Sequence, residues 1–549
     1  MKPCTSYCPF SEILWLTFFI LAAGYFISKR LKRYLRFFQI EEYNHPRFVK
    51  WLFANSAYDK RASLTSLICW FAVPLLSKEG IYDPFLNRYF FLGLGFLVLS
   101  IFEIDPTKSG KVKLNMTERA KRIYRIAYIL TLAIFIGALL LNCCFGELNL
   151  LIASITGSQV IPFSLIASNY LLKPVESKIQ SKFLNEAKAK IRALAPYTIG
   201  ITGSYGKTSC KNILGEFVGG ALGSTFVPPK SINTSMGITR EIRERLQPEH
   251  KYAVIEMGAF LVGDIKKRCE IAPPNAALIT IVGLAHLERF GSEENVFLAK
   301  SELAQALPAD GILVCNGDNP GSRKIAETYP SKTTLLYGLN PSDKSLDCWA
   351  SDVKEDNQSG TQTFTIHWQN KTYQAKTKLL GKTSVYNIIG CFTMACALGA
   401  DPNYLLALLA NIEPVDNRLK IKKDQGITYI QDAYNSNPEG FKSALQVLQT
   451  APAKRKILLT PGMIELGEKQ AEENKNVAAI ASEICDLIII VGHVNREALL
   501  EGCKNNKAEI SLAENRTEAF ELLKNYARAE DAVLIENDLP DLYEHKESF

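Results

Sequence analysis

The stretch Ile199-Gly-Ile-Thr-Gly-Ser-Tyr-Gly-Lys-Thr-Ser209 decides how this chain is read. The β-branched run before it, from Tyr197 to Ile201, predicts a buried strand. The strand gives way to Thr202, Gly203, Ser204, Tyr205, Gly206, Lys207 and Thr208, and a helical pattern follows through Ser209 and beyond. A strand that ends in a glycine-containing loop and opens a helix makes a cradle for phosphate. Backbone N–H groups and the helix N-terminus face the anion, Lys207 adds a full charge, and the Thr208 hydroxyl can reach Mg²⁺. The strict spacing wants glycine where Ile201 stands, and Gly200 falls one residue early. A structural glycine turn is therefore the competing reading, and the strand–loop–helix context favours the phosphate loop.

Working outward, 549 residues exceed a single core and imply several domains. The net charge is +7, and the basic residues gather before residue 125, between apolar runs. That pattern points to a membrane surface and lipid rather than to nucleic acid, for which the chain carries no signature. The 13 cysteines are scattered, without metal-type spacing, which suits a reduced cytosolic setting for all but Cys4 and Cys8.

Upstream, apolar segments occupy 13–27, 62–76, 89–102, 126–141 and 148–172. Several are short of the roughly 20 residues a spanning helix needs. Loops 29–61 and 104–125 are rich in Lys and Arg, whereas 78–88 and 142–147 are poor. The positive-inside rule then predicts an outside N-terminus, about five crossings and cytoplasmic placement of everything after residue 173. Glu103, Asp105 and Asn169 fall at helix ends, where polar groups are interfacial or contact a head group. Residues 173–196 predict an amphipathic helical linker beneath the membrane, with Val175, Ile179, Phe183 and Leu184 near helical spacing.

Downstream, strands and helices alternate. Strand candidates 197–202, 252–257, 276–282, 311–315 and 333–337 predict a P-loop-type, mostly parallel, doubly wound sheet over 197–415. Segments 361–368 and 371–378 predict an antiparallel hairpin, inserted or appended, and 385–398 a helix. A second strand–helix series (428–431, 456–459, 487–491, 509–512, 532–535) predicts a separate Rossmann-like α/β domain over 416–549. The fold class is thus α/β, preceded by a helical membrane domain over 1–172.

Polar residues fall at the carboxyl ends of these strands, where open α/β sheets bind ligands. Glu256 ends Ala-Val-Ile-Glu-Met-Gly: a helix cap or surface group by itself, a Mg²⁺ ligand beside a phosphate loop. His286 follows strand 276–282; a lone histidine is usually structural, but this one sits on the presumptive nucleotide edge. By spacing alone, Lys300 is a solvated lysine.

From residue 197 the chain resembles the Mur ligases, bacterial enzymes of cell-wall (peptidoglycan) synthesis. The strings that carry the resemblance are Thr-Gly-Ser-Tyr-Gly-Lys-Thr-Ser (202–209), Asn-Thr-Ser-Met-Gly (233–237), Glu-Met-Gly-Ala (256–259), Ala-His-Leu-Glu-Arg-Phe-Gly-Ser (285–292) and Ala-Lys-Ser-Glu (299–302). Asn417-Arg418, Asp-Ala-Tyr-Asn-Ser-Asn-Pro (432–438) and Met-Ile-Glu-Leu-Gly-Glu (463–468) continue it in order. The resemblance implies an ATP-dependent amide ligase. It would add an amino acid or dipeptide, D-alanyl-D-alanine foremost, to a UDP-N-acetylmuramoyl-peptide precursor through an acyl phosphate. It implies that Lys207 and Thr208 hold ATP phosphates and Mg²⁺, and that Glu256 and His286 ligate the metal. Lys300 would be the lysine that is carbamylated in the family, Arg418 and Asp432 would contact the nucleotide, and Asn435 and Asn437 would shape the closed site. With the apolar segments, it implies a protein of the bacterial cytoplasmic membrane with cytoplasmic catalytic domains.

Three departures stand out. Membrane segments occupy the place of the family's uridine-nucleotide domain, which opens a lipid-linked acceptor as an alternative. The expected Gly-x-His-Asn-Val-x-Asn reads Gly381-Lys-Thr-Ser-Val-Tyr-Asn387, and the expected Lys-Gly-Ser reads Glu536-Asn-Asp. The acidic Glu536 leaves a different poly-amino-acid product open. A membrane P-loop transporter or regulatory NTPase is the rival from another class; the chain has no guanine-type Asn-Lys-x-Asp string to support it.

Overall fold

The computed structural model describes residues 9–76, 84–108, 112–145, 148–356, 359–433, 436–504 and 508–538. Cys4, Cys8 and Asn435, with most of loop 78–88, lie outside the described residues. The described residues divide into two compact units, the first ending at residue 179 and the second running over 180–538.

The first unit is helical: α1 (Pro9–Ile40), α2 (His45–Ala54), α3 (Lys60–Leu76), α4 (Pro84–Ile101), α5 (Glu118–Phe145), α6 (Leu148–Gln159) and the start of α7 (Ile161–Leu194). It has an apolar core that includes Phe19, Phe26, Phe37 and Phe38, and it also exposes large apolar side chains and buries a group of charges. Leu21, Phe71 and Phe102 are 68%, 63% and 81% exposed, whereas Arg30 and Asp59 are 1% and 0% exposed. Arg30 pairs with Asp59 at 2.7 Å and with Glu103 at 2.8 Å, and Arg33 reaches Glu103 at 3.2 Å. Asn169 binds Arg119, the Tyr43 carbonyl and His45. Glu103 therefore holds helices together by ion pairs and Asn169 by hydrogen bonds, each buried polar group answered by a partner.

By length and composition two helices, Ile13–Ile40 and Glu118–Leu140, suffice to cross a membrane. Leu150–Gln159 with Ile161–Leu194 make a third only if the pair, bent by 55°, counts as one span. Against the expectation of about five crossings, two or three candidate spans stand among the described residues. The apolar part of α4, Arg88–Ile101, is too short, and the continuous segment expected over 148–172 breaks between Gln159 and Ile161. Nor does a break fall at residue 172: α7 runs on through Pro174 to Leu194, and Ala187 and Ile191 are buried in the core of the second unit.

The second unit holds two sheets. The first has nine strands in the order β2-β3-β1-β4-β5-β6-β7-β8-β9. These are β1 (Tyr197–Thr202), β2 (Thr225–Phe226), β3 (Tyr252–Glu256), β4 (Ala276–Ile279), β5 (Ile312–Asn316), β6 (Thr333–Gly338), β7 (Cys348–Asp356), β8 (Thr361–Trp368) and β9 (Lys371–Thr377). Pairing is parallel from β2 through β7, and β7-β8-β9 are antiparallel. The expected hairpin thus extends the sheet edge. β7 escaped the sequence reading because its second half is exposed and polar and its pairing slips between Ser351 and Lys354. β1, fully parallel and covered on both faces, has no alternation to read, only a buried run.

Helix Lys382–Ala397 seals one face of this sheet. Phe392 on it is fully buried among Val314, Ile366, Phe364 and Leu405. Phe392→Ala should cost about 3–5 kcal/mol, the usual charge for an aromatic-sized void, visible as an earlier unfolding midpoint of the ligase unit; an unchanged midpoint would mean the site collapses around the loss.

The second sheet orders six strands as β10-β11-β15-β12-β13-β14: β10 (Lys420–Asp424), β11 (Ile427–Asp432), β12 (Lys456–Thr460), β13 (Leu487–Val491), β14 (Glu509–Ala513) and β15 (Ala532–Glu536). All pairs are parallel except β10 with β11. β10, missed in the sequence, is a charged, exposed edge strand, Lys-Ile-Lys-Lys-Asp. The nine cysteines whose side chains are described, from Cys69 to Cys503, are unpaired.

Candidate functional site

The glycine loop lies between the end of β1 and helix α8 (Lys207–Ala221). Gly206 adopts φ 80°, and a side chain there would strike the Asn387 amide; Gly203 adopts φ 147°, and a side chain there would strike the Thr280 hydroxyl. Both positions are closed to side chains by backbone and by neighbours. Ser204 pins the loop to the neighbouring strand through mutual hydrogen bonds with Gly283, at 2.8 and 2.9 Å. Thr202 donates to the Met257 carbonyl at 2.9 Å. Lys207 Nζ donates to the carbonyls of Gly203 and Ser204, at 2.6 and 3.0 Å. Loss of hydration holds its pKa below the ordinary lysine value, opposed by the Glu256 carboxylate.

Thr208 and Glu256 meet, hydroxyl to carboxylate, at 2.9 Å. Asn233 Nδ2 donates to the other Glu256 oxygen at 2.9 Å. Lys211, one helical turn after Lys207, is fully buried, with Nζ 3.9 Å from Glu256 and hydrogen-bonded to the Lys230 carbonyl. A 1%-exposed carboxylate is thereby held by a hydroxyl, an amide and a cation. Sequence reading singled out neither Lys211 nor Asn233 as a site residue. The i, i+4 repeat after Lys207 was the available signal for the first; the Asn-Thr-Ser-Met-Gly string held the second.

His286 takes a left-handed conformation, φ 58°, ahead of the short helix Leu287–Phe290. Its Nδ1 hydrogen-bonds the Glu465 carboxylate, which also meets Arg289 at 3.3 Å. Its ring lies edge-on to Phe260 at 4.8 Å. Burial pushes its pKa below the usual value, against the pull of Glu465. In this arrangement His286 and Glu256 hold different partners. Among the described residues there is no group of three or more His, Cys, Asp or Glu side chains fit to cage a metal. Thr208 and Glu256 are instead the sparse oxygen set with which Mg²⁺ is held when nucleotide phosphates supply the remaining ligands, so the residues present fit that ion.

Lys300, on helix Glu293–Gln305, is 2% exposed, with Nζ 5.4 Å from the centre of the Phe290 ring. Loss of hydration, then repulsion from Lys207 and Arg268, lowers its pKa well below the lysine value. The solvated lysine expected from spacing alone is corrected: this amine is buried.

A cavity of about 120 Å³ opens beside the loop, lined by Tyr205, Gly206 and Ser209, by Thr383, Ser384 and Asn387, and by Arg418, Asp432, Ser436 and Glu536. Asp432 and Glu536 are register partners at the ends of β11 and β15. Burial raises Asp432 to about 7, with Arg418 opposing, and raises Glu536 well above the carboxylate range, with Asp432 adding to it. Raised folded values mean that the unfolded chain releases these protons first. The stability penalty is absent below about pH 4, grows as pH rises, and is complete above pH 7 for Asp432. Asp432→Asn should therefore unfold at a higher temperature than the parent near pH 8, with the gap closing near pH 4; a gap independent of pH would refute the burial argument.

The site thus draws Lys207, Thr208, Ser209 and Glu256 together, places Arg418 and Asp432 across the cavity, and puts His286 and Lys300 on neighbouring segments; Asn435 is outside the described residues.

Residues 201–395 match the Mur ligase middle domain family, and 417–536 match the Mur ligase glutamate ligase domain family. The UDP-N-acetylmuramoyl-tripeptide–D-alanyl-D-alanine ligase of Escherichia coli (strain K12) is 31% identical over 311 residues, 56% of this chain and 67% of that protein. The enzyme of the same name from Mycobacterium tuberculosis (strain ATCC 25618 / H37Rv) is 29% identical over 378 residues, 65% and 73% of the two chains. Among solved structures, the MurF ligase from Thermotoga maritima in complex with ADP superposes with a TM-score of 0.58 at 25% identity, covering 65% of this chain and 80% of that one.

Proposed function

This chain belongs to the Mur ligase family, is an ATP-dependent, ADP-forming amide ligase, and on that premise we propose that it joins D-alanyl-D-alanine to a UDP-N-acetylmuramoyl-tripeptide. The substrates come from the names of the relatives. The observation that carries the reading is the convergence of Lys207, Thr208 and Glu256 at the end of a parallel sheet, beside a cavity lined by Gly206 and Ser209 of the same loop and by Arg418 and Asp432.

The chemistry needs two anions, a carboxylate and the γ-phosphate, brought together. Lys207 and the loop N–H groups draw the phosphates in and offset their charge. Thr208 and Glu256 would hold Mg²⁺, which supplies further charge neutralisation when bound. The substrate carboxylate attacks the γ-phosphorus, the bond to ADP breaks, and an acyl phosphate results. The amine of the dipeptide then attacks the acyl carbon, phosphate leaves, and the amine proton passes to a base. The buried amine of Lys300, held towards its neutral form by loss of hydration, would be the group carbamylated, and the resulting anion would serve as a further ligand for Mg²⁺. His286, neutral at pH 7 and clasped by Glu465, ties the sheet with the glycine loop to the C-terminal domain, and that contact shields the acyl phosphate from water.

Domain by domain, residues 1–172 would anchor the protein in the bacterial cytoplasmic membrane, 173–196 would link, 197–415 would bind ATP, and 416–549 would complete the site from the cytoplasm. The support for the anchor is the exposed apolar surface of the first unit together with its two or three helices long and apolar enough to cross.

The test is phosphate release by the detergent-purified full chain with ATP and Mg²⁺. Release that requires both UDP-N-acetylmuramoyl-tripeptide and D-alanyl-D-alanine, with the product mass found, is expected. Silence with that pair, and release only with a lipid-linked acceptor, would overturn the substrate assignment.

A further inference from the structure

Glu536 stands where the family pattern leads one to expect lysine. It is 1% exposed, lines the cavity, and accepts a hydrogen bond from Ser436 through Oε1 at 2.6 Å. Among the described residues its other oxygen, Oε2, is buried with no hydrogen-bond partner. An acceptor removed from water without a donor is costly, and in a native fold it calls for an explanation.

The topology supplies one. β11 and β15 are parallel neighbours, and Asp432 pairs in register with Glu536. Register partners on parallel strands project to the same face, and adjacent strands lie about 4.8 Å apart. Two carboxyl groups therefore sit side by side at the mouth of the cavity. The Asn537 N–H, donating to the Asp432 carbonyl at 3.1 Å, ties the two strand ends together. A pair of adjacent acceptors matches a ligand with two adjacent hydroxyl donors. Carboxylates after the strands of α/β sheets serve this purpose for ribose. The rest of the cavity agrees: Leu379, Leu380, Ile412 and Val415 offer an apolar slot for a planar base, and Gly206 lies at the phosphate end.

We propose that Glu536 and Asp432 form a two-jawed clamp for the 2′,3′-diol of the nucleotide ribose, with Glu536 Oε2 taking one of the two hydroxyl protons as acceptor. The proposal rests on the reading of this cavity as the ATP site and deepens it by adding a residue and naming the part of the nucleotide it recognises.

The experiment is equilibrium binding of Mg-AMPPNP and its 2′-deoxy and 3′-deoxy forms to the full chain in detergent, with Glu536→Gln and Glu536→Ala alongside. For the parent, loss of either hydroxyl should weaken binding about tenfold. In Glu536→Ala the intact nucleotide should bind about tenfold more weakly, and one of the two deoxy penalties should shrink to under about twofold, because that hydroxyl has lost its partner. If Glu536→Ala does not fold, Glu536→Gln carries the comparison, with the same penalty reduced. Parent-like affinity and undiminished penalties in a folded variant would overturn the clamp, as would a change confined to the KM of the amine donor. Failure of the underlying reading looks different: the parent itself would bind no nucleotide, or bind it equally well after Lys207→Ala.

Discussion

Lys207→Ala should remove ADP formation almost entirely, by about a thousandfold or more, while leaving the protein folded. The magnitude follows from where the charge sits. A cation that meets transferring phosphoryl oxygens in a site shut off from water is worth about 10³-fold or more in rate. Lys207 is the one loop side chain with that charge, and Nζ already lies over the carbonyls of Gly203 and Ser204, at 2.6 and 3.0 Å. Those carbonyls bind it in place of water, so its head is held at the loop rather than swung into solvent. Lys207→Arg keeps the charge but not the compact, point-like head, and should recover little. The measurement is steady-state ADP release with both substrates, alongside a thermal unfolding curve. A folded Lys207→Ala protein with parental turnover would remove the lysine from phosphate binding.

Lys300→Ala should lower turnover by at least about a hundredfold, a loss on the scale of a metal-site or charge-stabilising group. The structure supplies the reason in its surroundings. Lys300 is 2% exposed, lies near an aromatic ring, has no carboxylate paired with it among the described residues, and faces the charges of Lys207 and Arg268. An amine so placed gives up its proton, and a neutral amine adds carbon dioxide, releasing a proton and leaving a carbamate. The carbamate reverses the sign of the side chain beside two cations, which would hold it there. Formate or acetate should partly restore Lys300→Ala, by filling the space with a carboxylate, and should not restore Lys207→Ala. Full activity without rescue would mean that the buried amine serves packing alone.

The two expectations differ in how they could have been reached. Lys207 is legible in the string around it, because a glycine loop between strand and helix needs a cation at one place. Lys300 is legible only through the Ala-Lys-Ser-Glu string and the family it resembles: by spacing alone it is an ordinary helical surface, and its burial is decided by the fold. The same division separates β1, announced by its continuous apolar run, from β10, whose Lys-Ile-Lys-Lys-Asp belongs to a sheet edge that solvent reaches. In the first unit, composition located the apolar helices, but the count of spans depended on helix length and on the break between Gln159 and Ile161, neither of which hydropathy records.

By itself, then, the order of residues determined the α/β class, the strands of both sheets that are buried along their length, the phosphate loop and the family. These are local properties: periodicity, loop chemistry and motif strings act over about ten residues and leave their trace in the chain. The tertiary structure alone decided that Lys211 and Asn233 hold Glu256, that His286 turns to Glu465, and that Asp432 and Glu536 stand side by side. Each joins residues far apart in sequence through strand order and register, and a pairing set by which strands become neighbours is written in no single stretch of the chain.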